Sequence, residues 1–166
     1  MRRLIGFTVV ALALAVPAAA LALQQNSGDG SLSIRNGHGK VVLKPFDGSA
    51  LGRVASGTVV IVDPVFGDGG SADVWGCDKQ SPTTSDHVTV CSGTNLRLRV
   101  IDGKYKLIII GTGVNLSAVG TGQVTLDGRG DDPAVKTDGS YSLNDSLYKS
   151  LPDLPKTFAL QPAVGG

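Results

Sequence analysis

At 166 residues the chain has room for one domain. Its 15 Lys and Arg against 14 acidic residues give no electrostatic case for nucleic acid or an anionic membrane surface as partner. Every acidic residue is Asp, and with 23 Gly and 8 Pro this composition excludes a largely helical fold in favour of strands closed by tight turns.

Met1-Arg2-Arg3 opens the chain with charge, and residues 4–23 are mostly apolar, closing on the small-x-small triplet Ala20-Leu21-Ala22. A signal peptidase needs that pattern to fit its narrow pocket, so residues 1–22 are expected to be a cleaved signal peptide. Retention as a membrane anchor is the alternative, since about 20 apolar residues can span a bilayer. Without Arg2 and Arg3 the remainder carries 13 basic against 14 acidic side chains.

Residues 23–30 read as a polar lead-in and 31–160 as a single β domain. Alternating Val, Ile, Leu and Thr, punctuated by Gly, Asp and Pro, predict strands at 31–36, 40–44, 50–54, 58–63, 72–77, 87–91, 95–101, 104–110, 114–119 and 123–126. Their spacing suits an all-β sandwich or barrel. Leu32, Ile34, Arg35, Gly39, Lys40 and Leu43 recur 64 residues later as Leu96, Leu98, Arg99, Gly103, Lys104 and Leu107. After one inserted residue, Leu51, Val54 and Gly57 match Leu116, Val119 and Gly122. The domain is therefore expected to be a duplication of a four-strand unit, 31–63 and 95–127, with 64–94 as an insertion hairpin.

Asp102-Gly103 has the residues of a two-residue hairpin turn, and His38-Gly39 takes the same place in the first copy. Counting outward from Asp102-Gly103 sets Val100, Leu98 and Leu96 opposite Tyr105, Leu107 and Ile109 on an apolar face. Arg99 then lies opposite Lys106 on the other face, beside Arg97. In the first copy Ile34 falls opposite Leu43, and His38 sits exposed at the turn. Ile108-Ile109-Ile110 breaks the alternation, which predicts cover on both faces of that strand. Residues 128–160 are expected to form a hairpin around Asn144-Asp145 and then a C-terminal strap across the sheet, with 161–166 frayed.

Cys77 and Cys91 are the only cysteines. In an exported protein they read as a disulfide closing a hairpin whose tip is 78–86. A metal site from Cys77, His87 and Cys91, completed by Asp78 or Asp86, and a pair of free thiols are the alternatives. Trp75 is expected to pack in the core beside the disulfide, an exposed binding tip being the other reading. The Asp/Gly clusters at 67–73 and 127–132 read as turns rather than calcium loops, because they lack the spaced acidic pattern of one. Asp131-Asp132 point apart in extended chain, unlike the paired carboxylates of a hydrolase. No G-x-S-x-G elbow, H-E-x-x-H helix or phosphate-binding glycine loop is present.

Leu51-Gly52-Arg53, Gly111-x-Gly113-Val114-x-Leu116-Ser117-x-Val119-Gly120-x-Gly122 and the closing Asp138-Gly139-x-Tyr141-Ser142 resemble a group of exported β-rich proteins of high-GC Gram-positive bacteria. The resemblance covers nearly all of the chain after the signal. It implies a secreted or cell-envelope location and a β-rich fold, and brings no catalytic residues and no cofactor.

The function expected is that of a non-enzymatic module of the envelope or extracellular space. It would bind a protein, glycan or wall polymer through the insertion, with Trp75 and His87, or through the face carrying Arg97, Arg99 and Lys106. A structural or chaperone-like accessory subunit and a secreted hydrolase using His87 are the alternatives.

Overall fold

The computed structural model describes residues 28–65, 67–83, 87–129 and 138–161, so the expected signal peptide and Asp131-Asp132 lie outside the described residues. The described residues contain no helix. Their strands are β1 (Gly30–Val62), β2 (Ser71–Trp75), β3 (Lys79–Thr83), β4 (Val88–Ile101), β5 (Lys104–Gly128), β6 (Ser140–Leu143), β7 (Lys149–Ser150) and β8 (Lys156–Leu160).

β1 and β5 are too long to lie in one flat layer. Residues 39–47 of β1 pair on one side with 104–111 of β5 and on the other with 122–128 of the same strand. That is geometrically possible only if both strands bend back around a common core. Following the pairs yields two facing layers. The first runs β8, 122–128, 39–47, 104–111, 56–62, 88–92, β3; the second runs β7, β6, 30–36, 114–120, 48–54, 94–100, β2. The architecture is all-β and sandwich-like, with the same strands continuing from layer to layer.

The crossing points are written in glycine. Gly48 lies opposite Gly120, Gly57 opposite Gly111 and Gly39 opposite Gly128. At the first of these both residues have φ +153°, and a Cβ on either would fall on a backbone carbonyl of the facing strand. Only a residue without a side chain lets two backbones cross this closely. At most crossings the inward-facing residues change parity: Leu32 and Ile34 give way to Val41 and Leu43, and Val54 to Val59 and Ile61. Each layer keeps its period-two rhythm, and the bend resets it.

The predicted hairpins are corrected here. β4 pairs with β1, β2 and β3, and β5 with β1 and β8, so Asp102-Gly103 joins one layer to the other instead of folding a strand onto its neighbour. His38-Gly39 is the equivalent crossing inside β1. Leu96, Leu98, Val100, Tyr105, Leu107 and Ile109 are nonetheless all buried in a single core. They meet across the sandwich instead of side by side. Some pairs recur between the two stretches at a spacing of 64 residues: Leu32 pairs with Ala118 and Leu96 with Val54, Ile34 with Leu116 and Leu98 with Gly52, while Leu43 pairs with Leu107.

Two further expectations change and one holds. Ile110 is 49 % exposed, because the C-terminal segment adds β8 edge-on to 122–126 and leaves the outer face of the first layer bare. The hairpin at Asn144-Asp145 does form, with both residues at positive φ. His38 is buried; its N–H donates to the Asp138 carbonyl at 2.8 Å and its carbonyl accepts from the Arg129 N–H at 3.2 Å.

Candidate functional site

The outer face of the second layer carries the most concentrated chemistry among the described residues. Inward-facing Ile34, Leu98 and Leu116 hold each strand to the core, so the residues between them face solvent. Register sets these outward residues in two rows across the strands. In the first, Trp75 is opposite Arg97, Arg97 opposite Arg53, and Arg53 opposite Asn115. In the second, Asp73 is opposite Arg99, Arg99 opposite Leu51, Leu51 opposite Ser117, and Ser117 opposite Ser33. Arg35, two residues beyond Ser33 on the same strand, extends the first row past Asn115 to the far end of an open groove of about 510 Å³.

The far end is walled by the C-terminal segment. The Tyr148 ring lies 4.0 Å under the Arg35 guanidinium, a cation–π contact, and its hydroxyl is 2.7 Å from Ser33 Oγ. Asn115 holds the groove floor, accepting from the Asn36 N–H at 3.1 Å and donating to the Gly113 carbonyl.

Arg53 and Arg97 face each other directly, with Cβ atoms about 5 Å apart in such pairs. Like charges so placed destabilise a sheet by a few tenths of a kcal/mol or more. Among the described residues, none of Arg53, Arg97 and Arg99 has a carboxylate within 4.0 Å. Asp73 is the one acid in either row. Trp75 is 49 % exposed and lines the same groove as these arginines. The arrangement can hold an anion bidentately between neighbouring guanidinium groups and stack an apolar ring face on the indole.

The sequence-derived candidates divide between the two layers. Trp75, Arg97 and Arg99 come together in this groove, with Trp75 on the solvent side and not in the core, because Ala72 and Val74 are the residues of β2 that pack inward. Lys106 does not join them: it pairs with Val62 in the first layer. The expected opposition of Arg99 and Lys106 fails because it assumed the hairpin that the crossing at Asp102-Gly103 replaces. His87 sits in the turn before β4 at φ +52°, its carbonyl accepting from the Asp63 N–H at 3.0 Å, at the other end of that strand from Arg97. Arg53 and Arg35 were missed as site residues. The alternation around Leu51-Gly52-Arg53-Val54, and the match of Arg35 to Arg99 in the duplication, carried the signal.

Cys77 and Cys91 form a disulfide with Cα atoms 5.2 Å apart, which removes the metal and free-thiol alternatives for this pair. It ties the bend between β2 and β3 to buried Cys91, and so steadies the strand that presents Trp75. The hairpin it closes is shorter at the tip than expected, since β3 pairs with 88–92. His38 Nδ1 is 4.0 Å from the Asp138 carboxylate, and neither ring nitrogen has a hydrogen-bond partner. At the 67–73 cluster, the Asp68 carboxylate accepts the backbone N–H groups of Lys104 and Gly70, which hold its pKa below the ordinary carboxylate value. That is turn chemistry.

No family model matches the chain, and neither curated proteins nor solved structures give a significant match.

Proposed function

We propose that this is an exported, non-enzymatic β module of the cell envelope or extracellular space, binding an anionic partner through the arginine-bearing face of its second layer. The observation that carries the reading is the directly opposed Arg53–Arg97 pair, exposed beside Trp75 and, among the described residues, without a carboxylate within 4.0 Å. A fold that keeps like charges in register gains from an anion placed between them. The signal-like residues 1–22, the resemblance to exported β-rich proteins and the disulfide support the location. No helix among the described residues is long and apolar enough to cross a membrane.

The test removes equal charge from each layer. Arg53→Ala with Arg97→Ala is expected to weaken retention on a sulfated-polysaccharide matrix by at least about tenfold in affinity, the scale of lost charge-assisted hydrogen bonds. Lys44→Ala with Lys106→Ala, on the first layer, is expected to leave it unchanged. Equal effects from both pairs, or none from the arginines, would refute the site. An accessory-subunit role is the second reading, favoured by the outer face of the first layer, where exposed Ile110 adjoins half-buried Val42, Val60 and Ile108.

A further inference from the structure

We infer that the ligand of the arginine face is a linear polysaccharide in which neutral and acidic sugars alternate, an inference that rests on the anion-binding reading above. The site is a track and not a pocket. Trp75, Arg97, Arg53, Asn115 and Arg35 stand on five successive strands, so the row extends about 19 Å across the sheet at the usual strand spacing. A small ligand would be enclosed on most sides. Among the described residues this groove is open along its length and walled only at its Arg35 end, by Tyr148.

The chemistry changes along the track. At one end Trp75 lies beside Asp73, an apolar ring face next to a carboxylate that accepts hydroxyl hydrogens, which suits an uncharged sugar. Next come Arg97, Arg53 and Arg99, whose forked donors suit a carboxylate or sulfate. Beyond them Ser117 and the Asn115 carboxamide, already bonded to backbone, make a neutral stretch. Arg35 then offers a second cationic position. The order is neutral, acidic, neutral, acidic.

A uniformly charged strand fits this order poorly. Asp73 sits one residue pair from the Trp75 ring and repels any anionic group stacked there. With 13 basic against 14 acidic residues after the signal, the protein also lacks the long-range field by which single-stranded nucleic acid is held.

Trp75 is the sole tryptophan, so its emission reports this site alone. The full chain without its signal is titrated at low salt with three probes of matched length: a hyaluronate oligosaccharide, which alternates uronate with N-acetylhexosamine, an oligogalacturonate and an oligothymidylate. The expected result is tightest binding of hyaluronate with a change in Trp75 emission, and, by titration calorimetry, a loss of about tenfold in affinity in Trp75→Ala, the scale on which losing one stacked ring acts. Asp73→Asn should lower affinity for hyaluronate and raise it for oligogalacturonate. If oligogalacturonate binds as well as hyaluronate, or Asp73→Asn leaves the preference unmoved, the alternating ligand is wrong and the anion-binding reading stands. Preference for oligothymidylate overturns the glycan class. Failure of all three to bind overturns both readings together.

Discussion

Gly48→Ala tests the crossing geometry on which the whole architecture depends. Gly48 and Gly120 meet face to face at φ +153°, and a Cβ on Gly48 would fall on the Val119 carbonyl oxygen and 2.7 Å from the Gly120 Cα. Two costs add. Holding a side chain in that glycine-only region of backbone space costs about 1–3 kcal/mol. Pressing it against backbone, which cannot rotate away as a side chain can, costs about 1–3 kcal/mol more. The sum of about 2–6 kcal/mol is a large part of the total of about 5–15 kcal/mol that holds a domain folded. Gly69→Ala is the control, because Gly69 has φ +89° but nothing within 4 Å of its added Cβ, so only the first cost applies. Urea unfolding followed by Trp75 emission measures both, and loss of all folded Gly48→Ala with Gly69→Ala intact counts as the upper end. The reasoning fails if the two variants unfold within about 1 kcal/mol of each other, less than the overpacking cost alone.

Two other perturbations probe the molecule away from the groove. Replacing both Cys77 and Cys91 by Ala is expected to lower stability by about 3 kcal/mol, the chain-entropy scale for a loop with their 14-residue separation; an unfolding midpoint unmoved by the replacement or by reductant contradicts it. Burial, and then the carboxylates of Asp63, Asp68, Asp102 and Asp73, push the Tyr105 phenol above its ordinary value of 10.0. The folded state therefore holds that proton more tightly than the unfolded one, so this contribution is whole below pH 10 and falls as pH rises beyond it. Tyr105→Phe should flatten that alkaline limb. Near neutrality it should be neutral or stabilising by up to about 1 kcal/mol, because the buried hydroxyl has no hydrogen-bond partner. Urea unfolding from neutral to alkaline pH checks both, and a variant as alkali-sensitive as the parent counts against the argument.

Which side chains face the core was legible in the sequence; which strands lie beside one another was not. The alternation through Leu96, Leu98, Val100, Tyr105, Leu107 and Ile109 places all six inside, whether the chain at Asp102-Gly103 turns back beside itself or crosses to the opposite layer. Period-two patterning specifies a face, and both connections satisfy it. The same ambiguity placed Lys106 with the arginines. β3 escaped notice because Pro82 interrupts it, which an edge strand tolerates where a central one would not. Ile108-Ile109-Ile110 looked like a doubly covered strand, yet Ile110 is exposed beside a crossing glycine. The arginine face was half visible. Arg97 and Arg99 stood out on one strand, whereas Arg53 joins them only through a pairing between residues far apart in the chain.

Leu43 pairs with Leu107, and residues 31–63 and 95–127 find most of their strand partners in each other, as two protomers of a dimer would, although here they belong to one polypeptide. Each 33-residue half presents the surface that the other needs, and the linker between them keeps that encounter intramolecular. Expressed alone, residues 31–63 would have no inner layer to close on except another copy of themselves.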